Sequence, residues 1–304
     1  MKTNGFIAAL AAALLFTGCF HEIHELGPLN AGEGLLGTSL GWERPDDEGT
    51  AIHSLTIAVG GAAAPFSRTY KDATEAAGEL IPVPAGRNDV LVTVNMTDAD
   101  GFAVSGMPAT RADAAVGDVI VSLKNPASSP RQAWFAVAGA DIKDREITIV
   151  EPKLQRLLSV LTVNLANVPS GTKVVISLGN VARSVNLTAK DASGRWGLPS
   201  ADSEGDLQIA SLTASSGGPL AVESFTLLPT ASAFQRSVLI FDITPTSGNK
   251  MQCVCDAPRM EGGKAYTLDL DYNALQPYMY LDTCSITAWE EGWTVSGEIL
   301  NPTE

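Results

Sequence analysis

From about residue 50 onward, short runs of β-type apolar residues alternate with clusters of turn-forming residues. The clearest run is 89–96, where Val90, Val92 and Val94 occupy every second position, as in a strand with one buried face. Helical periodicity is limited to a weak stretch at residues 71–79, and the 28 Gly and 17 Pro residues disfavour longer helices. Regularly spaced short strands of this kind predict an all-β fold built from β-sandwiches.

The length and composition of the chain allow two such units. With 304 residues, 45% of them hydrophobic, the chain can bury two separate cores. Glu151-Pro152 interrupts the strand pattern, and the apolar run at residues 156–165 that follows predicts a strand buried on both faces. We therefore place one β-sandwich domain at residues 38–152 and a second at residues 153–304.

The N-terminus has the features of an export signal. Lys2 precedes an apolar run at residues 6–15, which is too short to span a bilayer but typical of a signal peptide. Phe16-Thr17-Gly18-Cys19 then resembles a bacterial lipobox. The resemblance implies a signal peptide at residues 1–18, fatty acyl chains such as palmitate on Cys19, and a lipidated tether at residues 19–37. A plain secretory signal with an incidental cysteine is the alternative.

The charge of the chain argues against two classes of partner. The formal net charge is −14 and the isoelectric point is about 4.6. An acidic surface repels the phosphates of nucleic acids, and it also repels anionic lipids. We therefore expect no nucleic-acid binding and expect membrane attachment only through the lipid on Cys19 or through a partner.

Catalytic and metal-binding patterns are weak. His21 and His24 flank Glu22-Ile23, one residue too close for the H-E-x-x-H zinc motif, and beyond His53 no histidine could serve as a general base. Asp98 and Asp100 could contribute to a calcium loop, but the segment lacks the further ligands of an EF-hand and is more typical of a tight turn. The sequence therefore predicts a protein that is not an enzyme, with no catalytic residue, cofactor or metal.

Three cysteines remain beyond Cys19. Cys253 and Cys255 lie two residues apart, so in a strand they would share a face, and a bond between them would be strained. Either could instead pair with Cys284 on a neighbouring strand. The three thiols could also bind a metal ion together, or they could be buried and unbonded.

A larger pattern resembles a known family. A lipobox is followed by a β domain containing Ile81-Pro82-Val83-Pro84-Ala85-Gly86-Arg87-Asn88-Asp89-Val90, by the run at 156–165, by Tyr266-Thr267-Leu268-Asp269-Leu270 and by Ile286-Thr287-Ala288-Trp289-Glu290-Glu291-Gly292. This order is similar to that of the fimbrillin-type lipoproteins of anaerobic Gram-negative bacteria, especially FimB-type anchor subunits. The resemblance implies two tandem transthyretin-like β-sandwich domains on a surface-exposed lipoprotein of the outer membrane.

The resemblance also implies a mode of assembly. Fimbrillin-like subunits would be the partners, and one subunit would add an extended strand to an open sheet of the next. Polymerising fimbrillins lose their first strand to an arginine-specific protease. Here Arg44 precedes Pro45, which makes a poor cleavage site, and Arg68 lies beyond the first proposed strand at residues 52–59. This departure favours an anchor or accessory subunit that keeps its lipid.

Two features of the aromatic residues bear on partner binding. Trp293, Val295 and Ile299 would share one face of a C-terminal strand, which is either a donor strand or an ordinary terminal strand. The alternative function is a surface lipoprotein that binds glycan. Two or more exposed, coplanar rings among the relevant tryptophans would favour that function, and burial would favour a scaffold. The tryptophans in question are Trp42, Trp134, Trp196 and Trp293.

Overall fold

The computed structural model describes residues 29–61, 66–108, 118–201, 207–214, 218–221, 224–230, 237–272, 279–288 and 291–295. Within them the protein is built almost wholly of strands, so the predicted all-β sandwich fold is confirmed. The strands are β1 Glu33–Thr38, β2 Gly41–Trp42, β3 Leu55–Gly61, β4 Phe66–Tyr70, β5 Ile81–Pro84, β6 Gly86–Val94, β7 Phe102–Ser105, β8 Ile120–Leu123, β9 Trp134–Ile142, β10 Ile147–Val150, β11 Lys153–Arg156, β12 Ser159–Val168, β13 Lys173–Gly179, β14 Ser184–Lys190, β15 Trp196–Pro199, β16 Leu207–Thr213, β17 Gly218–Ala221, β18 Phe225–Leu227, β19 Val238–Thr244, β20 Met251–Asp256, β21 Lys264–Tyr272, β22 Met279–Ala288 and β23 Glu291–Val295.

Helical structure is minor. The weak helical stretch predicted at residues 71–79 is one short helix, α1 (Ala73–Ala77), whose first turn is capped by the Asp72 side chain accepting from Glu75 N at 2.8 Å. Two single 3-10 turns lie at Pro45–Asp47 and Asp98–Asp100. Within the described ranges, no helix is long and apolar enough to cross a membrane.

The N-terminal sandwich packs two sheets. A six-stranded sheet of order β2-β11-β9-β6-β3-β4 lies against a three-stranded sheet of order β10-β1-β5. Alternation places Val90, Val92 and Val94 of β6 in the core between them, together with residues such as Leu36 and Ile57. The other face of β6 is also covered, because Leu91 belongs to a second apolar cluster.

That second cluster joins the two halves of the sequence. A four-stranded sheet of order β15-β14-β8-β7 covers the six-stranded sheet, and β8 pairs with β14 in the register Val121↔Val185. Phe102, Val121, Val185 and Leu187 of this sheet are fully buried. The boundary predicted after residue 152 therefore does not separate the sheets, since strands from both sides of it pair with one another.

β11 crosses the same boundary. It starts at Lys153, yet it pairs with β9 and with β2 of the N-terminal sandwich. The predicted single strand at 156–165 is thus divided between β11 and β12. Nor is β12 buried on both faces, because its alternate residues Val160, Thr162 and Asn164 are half-exposed.

The C-terminal sandwich has its own core. Its sheets have the orders β17-β12-β21-β22-β23, with β18 also on β12, and β16-β13-β19-β20. Leu161, Val163 and Leu268 from the first sheet meet Ile176 and Phe241 from the second. The transthyretin-like topology and the division into two domains remain predictions.

The predicted tether is shorter than residues 19–37. Residues 33–38 form β1, in which Leu35 is 6% exposed and Leu36 is fully buried. Two adjacent leucines are too apolar to remain in water when neighbouring strands can cover them. Residues 33–37 of the predicted tether thus belong to a strand of the folded body.

Candidate functional site

The candidate site for a partner strand is the three-stranded sheet around β1. β1 is its central strand, parallel to β10 and antiparallel to β5. Leu35 N donates to Glu146 O at 2.9 Å and Ser39 N donates to Val150 O at 2.8 Å. The first described strand after Cys19 therefore already fills the space between β5 and β10.

Two glycines allow β1 to fit. A Cβ atom on Gly34 would lie 2.2 Å from the carbonyl oxygen of Lys143, and one on Gly37 would lie 2.5 Å from Cδ1 of Ile149. The backbone contact at Gly34 requires a residue without a side chain, whereas a side chain at Gly37 would displace the end of the Ile149 side chain. The contact at Gly34 therefore favours the observed register of β1 between β5 and β10.

The β5 edge of this sheet is closed to a further strand. Ala85 N donates to Gly32 O at 2.8 Å, so every second N–H of this antiparallel strand faces β1 and the groups of Pro82 and Pro84 face away. Proline has no N–H, so the outer side of β5 offers no donor at either position. Prolines are one of the devices by which natural sheets protect an edge.

The β10 edge is open. Because Glu146 O and Val150 O accept from β1, the main-chain groups of Ile147 and Ile149 point away from β1, and no described strand pairs with that side. Ile147 and Ile149 are 42% and 53% exposed. An unprotected edge with exposed apolar side chains is a template for strand addition. The alternation Ile-Thr-Ile-Val in the sequence signals the strand, but only the pairing shows that it is an edge.

Arg44, which Pro45 makes a poor cleavage site, lies beyond β1. Arg44 follows β2 and occupies the N-cap position of the 3-10 turn that begins at Pro45, without a side-chain capping bond. Cleavage after Arg44 would therefore release both β1 and β2, not a segment upstream of the first strand. Arg68 lies within β4, where it forms an ion pair with Glu79.

The tryptophans do not form an exposed platform in the described part of the chain. Trp134 is 4% exposed, and Trp42 packs edge-on against it with ring centroids 5.6 Å apart and an interplanar angle of 83°. Trp196 is half-buried, with Lys190 Nζ 4.4 Å from the centre of its ring. Of these three side chains, Trp134 meets the burial criterion for a scaffold, whereas the half-buried Trp42 and Trp196 meet neither criterion.

The C-terminal candidate residues are only partly placed. Trp293 and Val295 lie on β23, opposite Ile286 and Cys284 of β22. β23 is an edge strand paired within its own sheet. Cys19 and Ile299 lie outside the described residues, so lipidation and a donor role stay predictions.

The cysteines do not lie on neighbouring strands. Cys253 and Cys255 are on β20 of the four-stranded sheet, whereas Cys284 is on β22 of the opposing sheet. A disulfide to Cys284 would have to bridge the two sheets. Cys253 is 9% exposed in the core, and this burial raises the pKa of its thiol.

The Asp98–Asp100 segment is a turn whose carboxylates are engaged by the protein. Asp100 Oδ2 accepts from Thr97 Oγ1 at 2.5 Å and Asp100 Oδ1 lies 2.8 Å from Nε2 of His53, while Asp98 pairs with Lys124 at 2.6 Å. Gly101, with φ of 94°, closes the turn into β7. Across the described residues, no group of three or more His, Cys, Asp or Glu could hold a metal ion.

Comparison with known proteins shows that the chain shares its fold with solved structures. No protein-family model matches the chain, and no curated protein matches it. A candidate polysaccharide-binding protein from Bacteroides thetaiotaomicron is 8% identical, with a TM-score of 0.55 over 87% of this chain and 98% of that chain. A candidate adhesin from Bacteroides ovatus is 13% identical, with a TM-score of 0.51 over 88% and 96%. At these identities the similarity shows the fold.

Proposed function

We propose that the protein is a non-catalytic adhesion protein of the bacterial cell surface. It is held at the outer membrane by lipid on Cys19 and acts as an anchor or accessory subunit of a fimbrium. The lipobox and the fimbrillin-like order of segments support this proposal. The shared fold with a candidate adhesin from a Bacteroides species is consistent with it.

The observation that carries the proposal is the open edge of β10. A subunit that keeps β1 cannot accept a partner strand in the groove that β1 occupies, and Arg44-Pro45 makes removal of β1 difficult. Within the three-stranded sheet, addition must then take place at the edge that still offers hydrogen bonds. β5 is blocked by Pro82 and Pro84, whereas β10 offers the main-chain groups of Ile147 and Ile149. A fimbrillin-like subunit would add its extended strand there.

A proline substitution tests the edge. Ile149→Pro removes an N–H that faces away from β1, so β10 keeps its bonds to β1 and loses a donor needed by the partner. We expect recovery of fimbrillin-like subunits with the tagged protein, measured by quantitative mass spectrometry in the producing bacterium, to fall about tenfold or more.

Val254→Pro is the matched control. Val254 is 49% exposed on β20, and because Ala257 N donates to Ser237 O, the N–H of Val254 also points outward from an edge. This control should leave recovery unchanged. Equal recovery with Ile149→Pro and the wild type would contradict strand addition at β10.

The lipid anchor needs a separate measurement. Mass spectrometry of the native protein from outer-membrane fractions should give an acylated Cys19 as the first residue. A terminus created after an internal arginine would instead indicate a polymerising or tip subunit that has lost its lipid.

A further inference from the structure

A shallow cleft lies where three parts of the fold meet. Its floor is apolar and includes Phe135, Leu157 and Val185, and its sides come from β11, the β14–β15 hairpin and the loop before β21. The cavity volume is about 40 Å³, enough for a few water molecules. Such a site cannot enclose a ligand, but it can hold one part of a ligand that extends over the surface.

Arginines from three segments converge on this cleft although the chain has a net charge of −14. Arg156 Nη2 lies 2.6 Å from Asp47, and Arg195 Nη1 lies 2.8 Å from Glu261. Arg259 is exposed, and no carboxylate of the described residues forms an ion pair with it. Lys264 also pairs with Glu261, at 2.8 Å. Asp191 and Glu261 also line the cleft, and they accept hydrogen bonds from the main chain and the guanidinium of Arg195. Arg156 and Arg195 are thus held in fixed positions by carboxylates, and Arg259 supplies the positive charge that no carboxylate of the described residues balances.

A flat aromatic surface borders the cations. Trp196 lines the cleft, and Lys190 lies over its ring. The next residue, Gly197, has φ of 91°, and a Cβ there would lie 2.7 Å from the Phe135 ring. The hairpin is thus pressed against the six-stranded sheet, which fixes the indole beside the arginines. Gln155 adds a side-chain amide that can donate and accept hydrogen bonds.

We infer that this cleft binds an acidic saccharide unit, with its carboxylate at Arg259 and its ring beside Trp196. Guanidinium groups recognise planar carboxylates through paired hydrogen bonds, and an indole offers an apolar face to the C–H groups of a sugar. The protein would then bind a saccharide directly, in addition to a partner subunit. It does not depend on strand addition at β10, which lies in another sheet.

The test is titration of the full chain with a defined oligogalacturonate, followed by calorimetry or NMR. We expect saturable binding that weakens as salt is added. Arg259→Gln should weaken it about tenfold or more, because one charge-assisted hydrogen-bonding group is lost. Trp196→Ala should also weaken it. Arg87→Gln, which changes an exposed arginine of β6 outside the cleft, should leave the affinity unchanged.

Three results would overturn the inference. The first is that the oligogalacturonate does not bind, and the second is that Arg259→Gln binds it as tightly as the wild type does. The third is that the wild type binds the fully methyl-esterified oligosaccharide, or an oligoglutamate peptide, as tightly as the oligogalacturonate. Circular dichroism of each variant shows that the fold is retained. Ile149→Pro should bind the saccharide like the wild type, so failure of the saccharide site and failure of strand addition are distinguishable.

Discussion

The most buried ion pair among the described residues fixes the segment that follows β2. Asp47 lies in the 3-10 turn, and its carboxylate accepts hydrogen bonds from Nε of Arg156 at 2.7 Å and from Nη2 at 2.6 Å. The side chain of Asp47 is 2% exposed and that of Arg156 is 11% exposed. Arg156 belongs to β11 and also lines the cleft. This contact therefore connects the 3-10 turn after β2, strand β11 and the proposed saccharide site.

Removing the carboxylate should be costly. Asp47→Asn leaves the Arg156 charge without its partner in a poorly hydrated site, and we expect the free energy of unfolding to fall by about 3 kcal/mol. Urea denaturation followed by fluorescence measures the change. Its neighbour Asp46 is exposed, so Asp46→Asn should change little. Equal midpoints for the two variants would show that the pair contributes nothing.

Acid stability should depend on Asp100. Burial alone raises the pKa of this carboxyl, but hydrogen bonds from Thr97 and His53 outweigh burial and hold the pKa below its ordinary value. The resulting stabilisation is complete above the ordinary aspartate pKa of about 3.9 and is lost as the pH falls through the lowered pKa. Between about pH 6 and about pH 3, the wild type should lose more stability than Asp100→Asn. Asp98→Asn, at the exposed position of the same turn, should behave like the wild type.

At the scale of single elements, β1 depends on the absence of side chains. Gly34→Ala would place a methyl group against the Lys143 carbonyl oxygen, and relief of that overlap requires backbone movement. We expect a loss of about 1–3 kcal/mol in the free energy of unfolding, measured by urea denaturation. Gly139→Ala is the matched control, because nothing lies within 4 Å of its added Cβ. If both variants unfold alike, β1 does not occupy the groove in this register.

Some strands of the three-stranded and six-stranded sheets were predictable from the sequence pattern and others were not. Val90, Val92 and Val94 alternate, so β6 was predictable from the pattern alone. β1 reads Glu-Gly-Leu-Leu-Gly-Thr, with no alternation, because its pattern is set by the close approach of Lys143 and Ile149. Pro82 and Pro84 of β5 cannot donate to a ladder and are typical of an edge strand, so this edge was also readable from local sequence. That β10 forms the opposite, open edge follows from pairing between residues about 110 positions apart, and a local pattern carries no such information.

At the scale of the whole molecule, a local sequence pattern also could not predict how the two sides of the domain boundary pair or where the cleft lies. Glu151-Pro152 does end a strand, but the pairing of β8 with β14 joins residues from the two sides of that break. Arg156, Arg195 and Arg259 are likewise distant in sequence and meet because the β14–β15 hairpin folds back onto β9 and β11. Candidate residues on one strand could be predicted, whereas sites built from three segments could not.

This shared sheet makes a prediction about cooperativity. Leu187 is fully buried in the cluster that includes Leu91 of β6 and Leu158 beside β12, so Leu187→Ala should remove about 2–5 kcal/mol of stability. If the cluster couples the sandwiches, native-state hydrogen exchange in increasing urea should show the opening free energies of Val92 and Val163 falling by the same amount. Ile149→Thr, which changes an exposed side chain outside the cluster, should alter neither. Unchanged protection of Val92 in Leu187→Ala would instead mean that the N-terminal sandwich opens independently.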